Sequence, residues 1–187
     1  MSIELLNTSI ALFTHELEAT PDSDWGLPTK CEGWSVRDLV HHVVGGARMA
    51  TSAIGGATAE ELIAEFQAFS LSANPRAEYS EAVAAQVSAF EKADMAKVIQ
   101  HPAMPMPVVQ LLGFRIGDFA LHAWDLGTSM GREVAIDGAV CQHIWNSLAP
   151  MASMIGSSGV FGSGPSGDVP ADADLQTRLL DLSGRRS

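Results

Sequence analysis

The stretch from Val108 to about Leu126 is the strongest constraint on how this chain can fold. It is apolar and free of proline, and it follows a segment, His101 to Pro107, that holds three prolines and cannot be helical throughout. Leu111, Leu112, Phe114, Ile116, Phe119, Ala120, Leu121 and Trp124 surround it with apolar side chains, the pattern of a buried helix. Yet at about 100° per residue Arg115, Asp118, His122 and Asp125 fall within roughly 80° of one another and form a polar stripe. Charge inside a core is costly unless it is paired or bound to a metal. Asp118 and His122 stand one helical turn apart and can converge on one cation. A solvated face, or Asp118 simply pairing with Arg115 or His122, accounts for the same spacing.

The rest of the chain reads as helices to pack around that one. Ile3, Leu6, Ile10, Phe13 and Leu17 give a helix over about 3–18. Thr20 to Asp24 breaks it, and loop continues to Gly33. Ser35 with Asp38 forms a capping box that opens a second helix to about Ala53. Thr58 starts a short helix that Asn74-Pro75 ends, and Ser80 to Val98 is a further long one. Asp137 caps a helix to about Met154. The glycine- and serine-rich stretch 157–170 reads as mobile, and Asp172 to Leu182 recovers a helical pattern. Alternation of β-branched residues is nowhere sustained. The expectation is an all-α fold over residues 1–187 as a single domain, a bundle on helices 3–18, 35–53, 80–98 and 108–127. Val40, Val43, Leu112, Phe119 and Leu121 belong in its core, with Trp34 packed at the start of the second helix.

Composition narrows the function. The 22 acidic and 11 basic residues leave a net charge of −11, which repels nucleic acid backbones and anionic membranes. No apolar run approaches the ~18 residues of a membrane span, and the N-terminus lacks a secretory pattern. Cys31 and Cys141 form no CxxC pair, in keeping with a cytoplasmic protein that keeps its thiols reduced. Lys30 could lower the pKa of Cys31, against the plainer reading of a loop thiol packed on Trp34. Cys141 reads as helix core. His15, His101 and His143 have no acidic partner at helical spacing. His41 and His42 flank the Val36/Leu39/Val40/Val43 stripe on opposite sides, one at the core edge and one exposed, and periodicity does not choose between them. The sequence holds no Walker loop, no GxGxxG after a strand and no GxSxG elbow.

Cys31-Glu32-Gly33-Trp34-Ser35-Val36-Arg37-Asp38-Leu39-Val40-His41-His42 is similar to the C-x-G-W-[TS]-V-R-D-L-x-x-H signature of actinobacterial DinB-like proteins. These are relatives of the metal-binding N-terminal domain of mycothiol-dependent maleylpyruvate isomerase. Asp118 to Leu126 resembles the family's second signature, [DE]-x-x-x-H-x-W-D-L, and the tail from Ala171 to Arg185 resembles the ending of its single-domain branch. The resemblance implies a DinB-like four-helix bundle holding one divalent ion through His42, Asp118 and His122. It resolves the choice between the two histidines, because the family's histidine falls eight residues after the tryptophan. His41 then stands where a small residue is usual, and aspartate at 118 has one methylene less reach than glutamate. Arg115 and Asp125 would orient the ligands through hydrogen bonds.

The implied cofactors are a divalent metal ion, zinc first with nickel or iron compatible, and mycothiol. The implied activity is a thiol-dependent transferase or isomerase acting on a small electrophilic substrate. The alternative is a non-catalytic metal-binding or structural helical-bundle module. Partners are then a small-molecule substrate or thiol, not nucleic acid or membrane, and a homodimer is admitted. A chain of 187 residues leaves no room for the isomerase's further C-terminal domain, so the isomerase reaction itself is not assumed.

Overall fold

A computed structural model describes residues 3–155 and 164–186. It is mostly helical: α1 (Ile3–Glu18), α2 (Val36–Gly55), α3 (Ala59–Ala68), α4 (Pro75–Lys92), α5 (Val108–Ser129), α6 (Gly138–Leu148), α7 (Ala152–Ile155) and α8 (Leu175–Leu182). The long helices α1, α2, α4 and α5 form the bundle, α1 lying mainly on α5 and α2 mainly on α4, while α8 packs on α6.

Local signals start α2 and α4. At α2 the Ser35 hydroxyl accepts from the Asp38 amide and the Asp38 carboxylate accepts from the Ser35 amide, so the capping box read in the sequence is formed. The Ser35 hydroxyl and amide hold the Asp38 carboxyl below its ordinary range. At α4 the Asn74 side chain accepts from the Ala77 amide and Pro75 takes the first helical position. Asn74-Pro75 therefore starts this helix rather than ending the previous one, since proline at that position forfeits no helical hydrogen bond. The helix begins five residues before the expected Ser80 and stops at Lys92. Val98–Ile99 then pairs antiparallel with Met106–Pro107, so Val98 lies in a short β-ribbon and not in a helix.

The last expected long helix is also divided. α6 ends at Leu148, a 3₁₀ turn follows over Ala149–Met151, and α7 comes after it. Pro150 sits in that turn and cannot donate to a continuing α-helical ladder. α8 starts at Leu175 under an Asp174 cap, three residues later than read. Residues 157–163 of the stretch read as mobile lie outside the described residues. Residues 164–170 carry no helix, and Ser166 donates to the Asp181 carboxylate at 2.6 Å.

The five residues assigned to the core, Val40, Val43, Leu112, Phe119 and Leu121, are buried. Phe13 links the helices, its ring 5.4 Å from that of Tyr79 on α4 and 6.1 Å from that of Phe119 on α5. Phe114 departs from the buried pattern of α5 and is 45% exposed.

Replacing Ser35 by Ala should cost about 1 kcal/mol, the usual worth of an N-cap, read by urea unfolding at neutral pH. The depressed Asp38 pKa stabilises the fold above the ordinary carboxylate pKa, and this contribution disappears as pH falls through the lower folded value. The gap between wild type and Ser35→Ala should therefore narrow in acid.

Candidate metal centre

α2 carries His42, and α5 carries Asp118 and His122 one turn apart. The bundle brings all three together. His42 Nε2 lies 3.0 Å from Asp118 Oδ1, and His122 Nε2 lies 3.5 Å from the same oxygen. The three donor atoms all fall within 4.8 Å of one another. The imidazoles meet edge to face, 4.9 Å between centroids. Trp34 lies over both, 5.0 Å from the His42 ring and 5.9 Å from that of His122. Side-chain exposure is 33% at His42 and 12% at His122, so the site opens on the His42 side.

His41 turns the other way. Its Nε2 meets the Phe69 carbonyl at 2.9 Å and its ring stacks on Phe69 at 4.8 Å. Neither histidine is exposed, contrary to the sequence reading, because the chain around Phe66 and Phe69 covers the His41 side of α2.

The stripe on α5 is neutralised group by group. Arg115 donates from Nη1 to Asp118 Oδ2 at 2.6 Å, from Nε to Gln86 Oε1 at 2.8 Å and from Nη2 to the Val43 carbonyl at 3.1 Å. Its guanidinium lies 4.7 Å from the centre of the Phe119 ring. Gly46 leaves space for it, since a Cβ at that position would overlap the guanidinium. Burial pushes the Asp118 carboxyl up, but Arg115 and His42 outweigh burial and hold it well below the ordinary carboxylate range.

Asp125 has its own set of partners. Its Oδ2 accepts from His122 Nδ1 at 2.9 Å, and Arg185 donates from Nε to Oδ1 at 2.9 Å and from Nη2 to Oδ2 at 2.6 Å. Burial acts to raise its pKa, but the His122 hydrogen bond and Arg185 bring it down to about 2.

Cys31 approaches the same carboxylate, Sγ at 3.3 Å from Asp125 Oδ2 and 3.7 Å from His122 Nδ1. The sequence raised Lys30 as a means of lowering this thiol's pKa. The structure gives that alternative no support: burial and the Asp125 carboxylate push the thiol up to about 12. Cys31, His122 and Asp125 also cluster within 4.8 Å, but both oxygens of Asp125 are already held by Arg185. Nothing in the sequence signals what Gln86 and Arg185 hold, because Arg115 and Asp125 lie 29 and 60 positions away from them in the chain.

The donor chemistry of His42, Asp118 and His122 fits a divalent metal. Two imidazoles and one carboxylate oxygen converge, while the second carboxylate oxygen and the second His122 nitrogen are already taken by Arg115 and Asp125.

Residues 6–127 match the family model of the mycothiol maleylpyruvate isomerase N-terminal domain, and the chain belongs to that family. The fold is similar to the crystal structure of the mycothiol-dependent maleylpyruvate isomerase, with a TM-score of 0.64 at 17% identity over 82% of this chain and 70% of that one. A histidine-to-alanine mutant of that enzyme gives a TM-score of 0.65 at 15% identity, over 87% of this chain and 70% of that one. Among curated relatives, uncharacterized proteins from two strains of Mycobacterium tuberculosis are each 32% identical over 117 residues, which is 60% of this chain. The match spans 58% of those relatives, less than two thirds of their length.

The Arg115–Asp118 pair can be tested by a double-mutant cycle. Arg115→Ala should destabilise the metal-free protein by about 3 kcal/mol, because it strands a carboxylate in the bundle. With Asp118→Asn already in place the same change should cost at least ~1 kcal/mol less, as read by chemical denaturation.

Proposed function

We propose that this chain binds one divalent metal ion through His42, Asp118 and His122 and works as a metal- and low-molecular-weight-thiol-dependent transferase or isomerase on a small electrophilic substrate. The observation that carries this reading is the meeting of three donor atoms from two helices within 4.8 Å on the partly open side of the bundle. Zinc is the first candidate, and nickel or iron would accept the same donors. Three protein donors favour an open coordination position over the closed four-ligand set of a structural site. A metal bound there would favour the thiolate form of a coordinated thiol.

The chain's own residues prepare the site for such a partner. Arg115 cancels the charge of Asp118, and Arg185 cancels that of Asp125, so these four residues add no net charge around the imidazoles. That balance leaves a divalent cation uncompensated and favours an anionic group, such as a thiolate, on the His42 side. Mycothiol, the thiol in the name of the related isomerase, is the proposed cofactor. The net charge of −11 disfavours nucleic acid and anionic lipid as partners. Among the described residues no helix is long and apolar enough to cross a membrane.

Metal analysis tests the reading. Wild-type protein should take up one equivalent of zinc, His42→Ala should bind it at least ~100-fold more weakly, and His41→Ala should bind like wild type. Affinity should fall on acidification, since a protonated imidazole has no lone pair for a metal. A wild-type chain that takes up no divalent ion would sink the proposal.

A further inference from the structure

Asp125 is 1% exposed and carries an unusual load: one hydrogen bond from His122, two from Arg185 and one from the Cys31 thiol. Of these partners Arg185 alone lies beyond the residues 6–127 that match the family model.

The tail is built to deliver it. α8 is locked to the chain ahead of α6 by Gln176, whose amide donates to the Val134 carbonyl at 2.8 Å while its carbonyl accepts from the Ile136 amide at 2.7 Å. Gly184 turns the chain after α8 at a φ of 76°, a conformation glycine adopts without strain. The Arg185 amide then donates to the Leu180 carbonyl at 2.8 Å. Arg186 fastens the end by donating to the Asp181 carboxylate at 2.9 Å and to the Gly164 carbonyl at 2.6 Å. Arg185 is left pointing inward, its side chain 14% exposed and both carboxylate oxygens of Asp125 in its fork.

We infer that Arg185 is a positioning residue for the candidate metal centre, acting through Asp125 on His122. This rests on the metal reading above. Two parallel bonds from a planar guanidinium fix the carboxylate plane, which a single point charge cannot do. Oδ2 is thereby aimed at His122 Nδ1, which donates its proton to it. That bond selects the tautomer in which Nε2 carries the lone pair, and Nε2 is the nitrogen that faces Asp118 and His42. The C-terminal tail thus completes a site whose proposed metal-holding residues all lie within the matched region.

The experiment compares wild type, Arg185→Ala and Arg185→Lys by zinc competition against a chromophoric chelator and by ¹⁵N spectra of the metal-free imidazoles. Arg185→Ala should weaken zinc binding by about 10–100-fold, and guanidinium ion at tens of millimolar should restore most of the loss. Arg185→Lys, which keeps the charge and the backbone of the tail, should recover only part of it. In the metal-free proteins His122 should be the Nδ1–H tautomer in wild type and a mixture in Arg185→Ala. Unchanged zinc affinity with an unchanged tautomer in Arg185→Ala overturns the inference. A loss that guanidinium does not restore, with the tautomer intact, also overturns it and assigns Arg185 to tail docking alone. If wild type takes up no zinc the metal reading fails by itself, and the imidazole spectra still decide whether Arg185 sets the tautomer.

Discussion

The ion pair between Arg115 and Asp118 lets the middle of the bundle be polar at all. A carboxylate on α5 facing two imidazoles would be costly to bury alone, and the guanidinium 2.6 Å away supplies its counter-charge. Arg115 is in turn satisfied by Gln86 from α4 and by the Val43 carbonyl from α2. One side chain therefore ties three of the four bundle helices together, and the absence of a side chain at Gly46 makes the arrangement sterically feasible.

His122 shows how the same helix serves two neighbourhoods. One ring nitrogen faces Asp118 and the other faces Asp125, three residues further along. Each carboxylate has its own arginine, Arg115 from within α5 and Arg185 from the tail. The pairing keeps charges balanced in a core built largely of aliphatic and aromatic side chains, and it leaves the uncommitted donor atoms on the side toward His42. Trp34 closes over both imidazoles there, so the loop that starts α2 helps define the opening.

The expectations that failed have local and long-range causes. Asn74-Pro75 is a stop signal when read from the helix before it and a cap plus first-turn proline when read from the helix after it. The length of helix on either side decides, and here α4 extends back to claim it. Pro150 divides the single helix expected over 137–154, and the chain converts to a 3₁₀ turn at that point. For Cys31 the charged groups that act on the thiol come from outside its sequence neighbourhood. Asp125, distant in sequence, sits 3.3 Å from the sulfur and acts on the thiol in the opposite direction.

Sequence alone determined the all-helical class, the capping box at Ser35, the apolar faces of α2 and α5, and the polar stripe of Arg115, Asp118, His122 and Asp125. These follow from periodicity and local hydrogen bonding, which act over a few residues and so are visible in order along the chain. The choice between His41 and His42 came from family resemblance rather than from the chain's own pattern, and in the structure His42 is the one facing Asp118. Only the tertiary structure decided that Gln86 holds Arg115, that Cys31 and Arg185 meet on Asp125, and that His41 turns to Phe69. Those contacts join residues dozens of positions apart. Their partners are set by how the helices pack and where the tail returns, and nearest-neighbour chemistry carries no record of either.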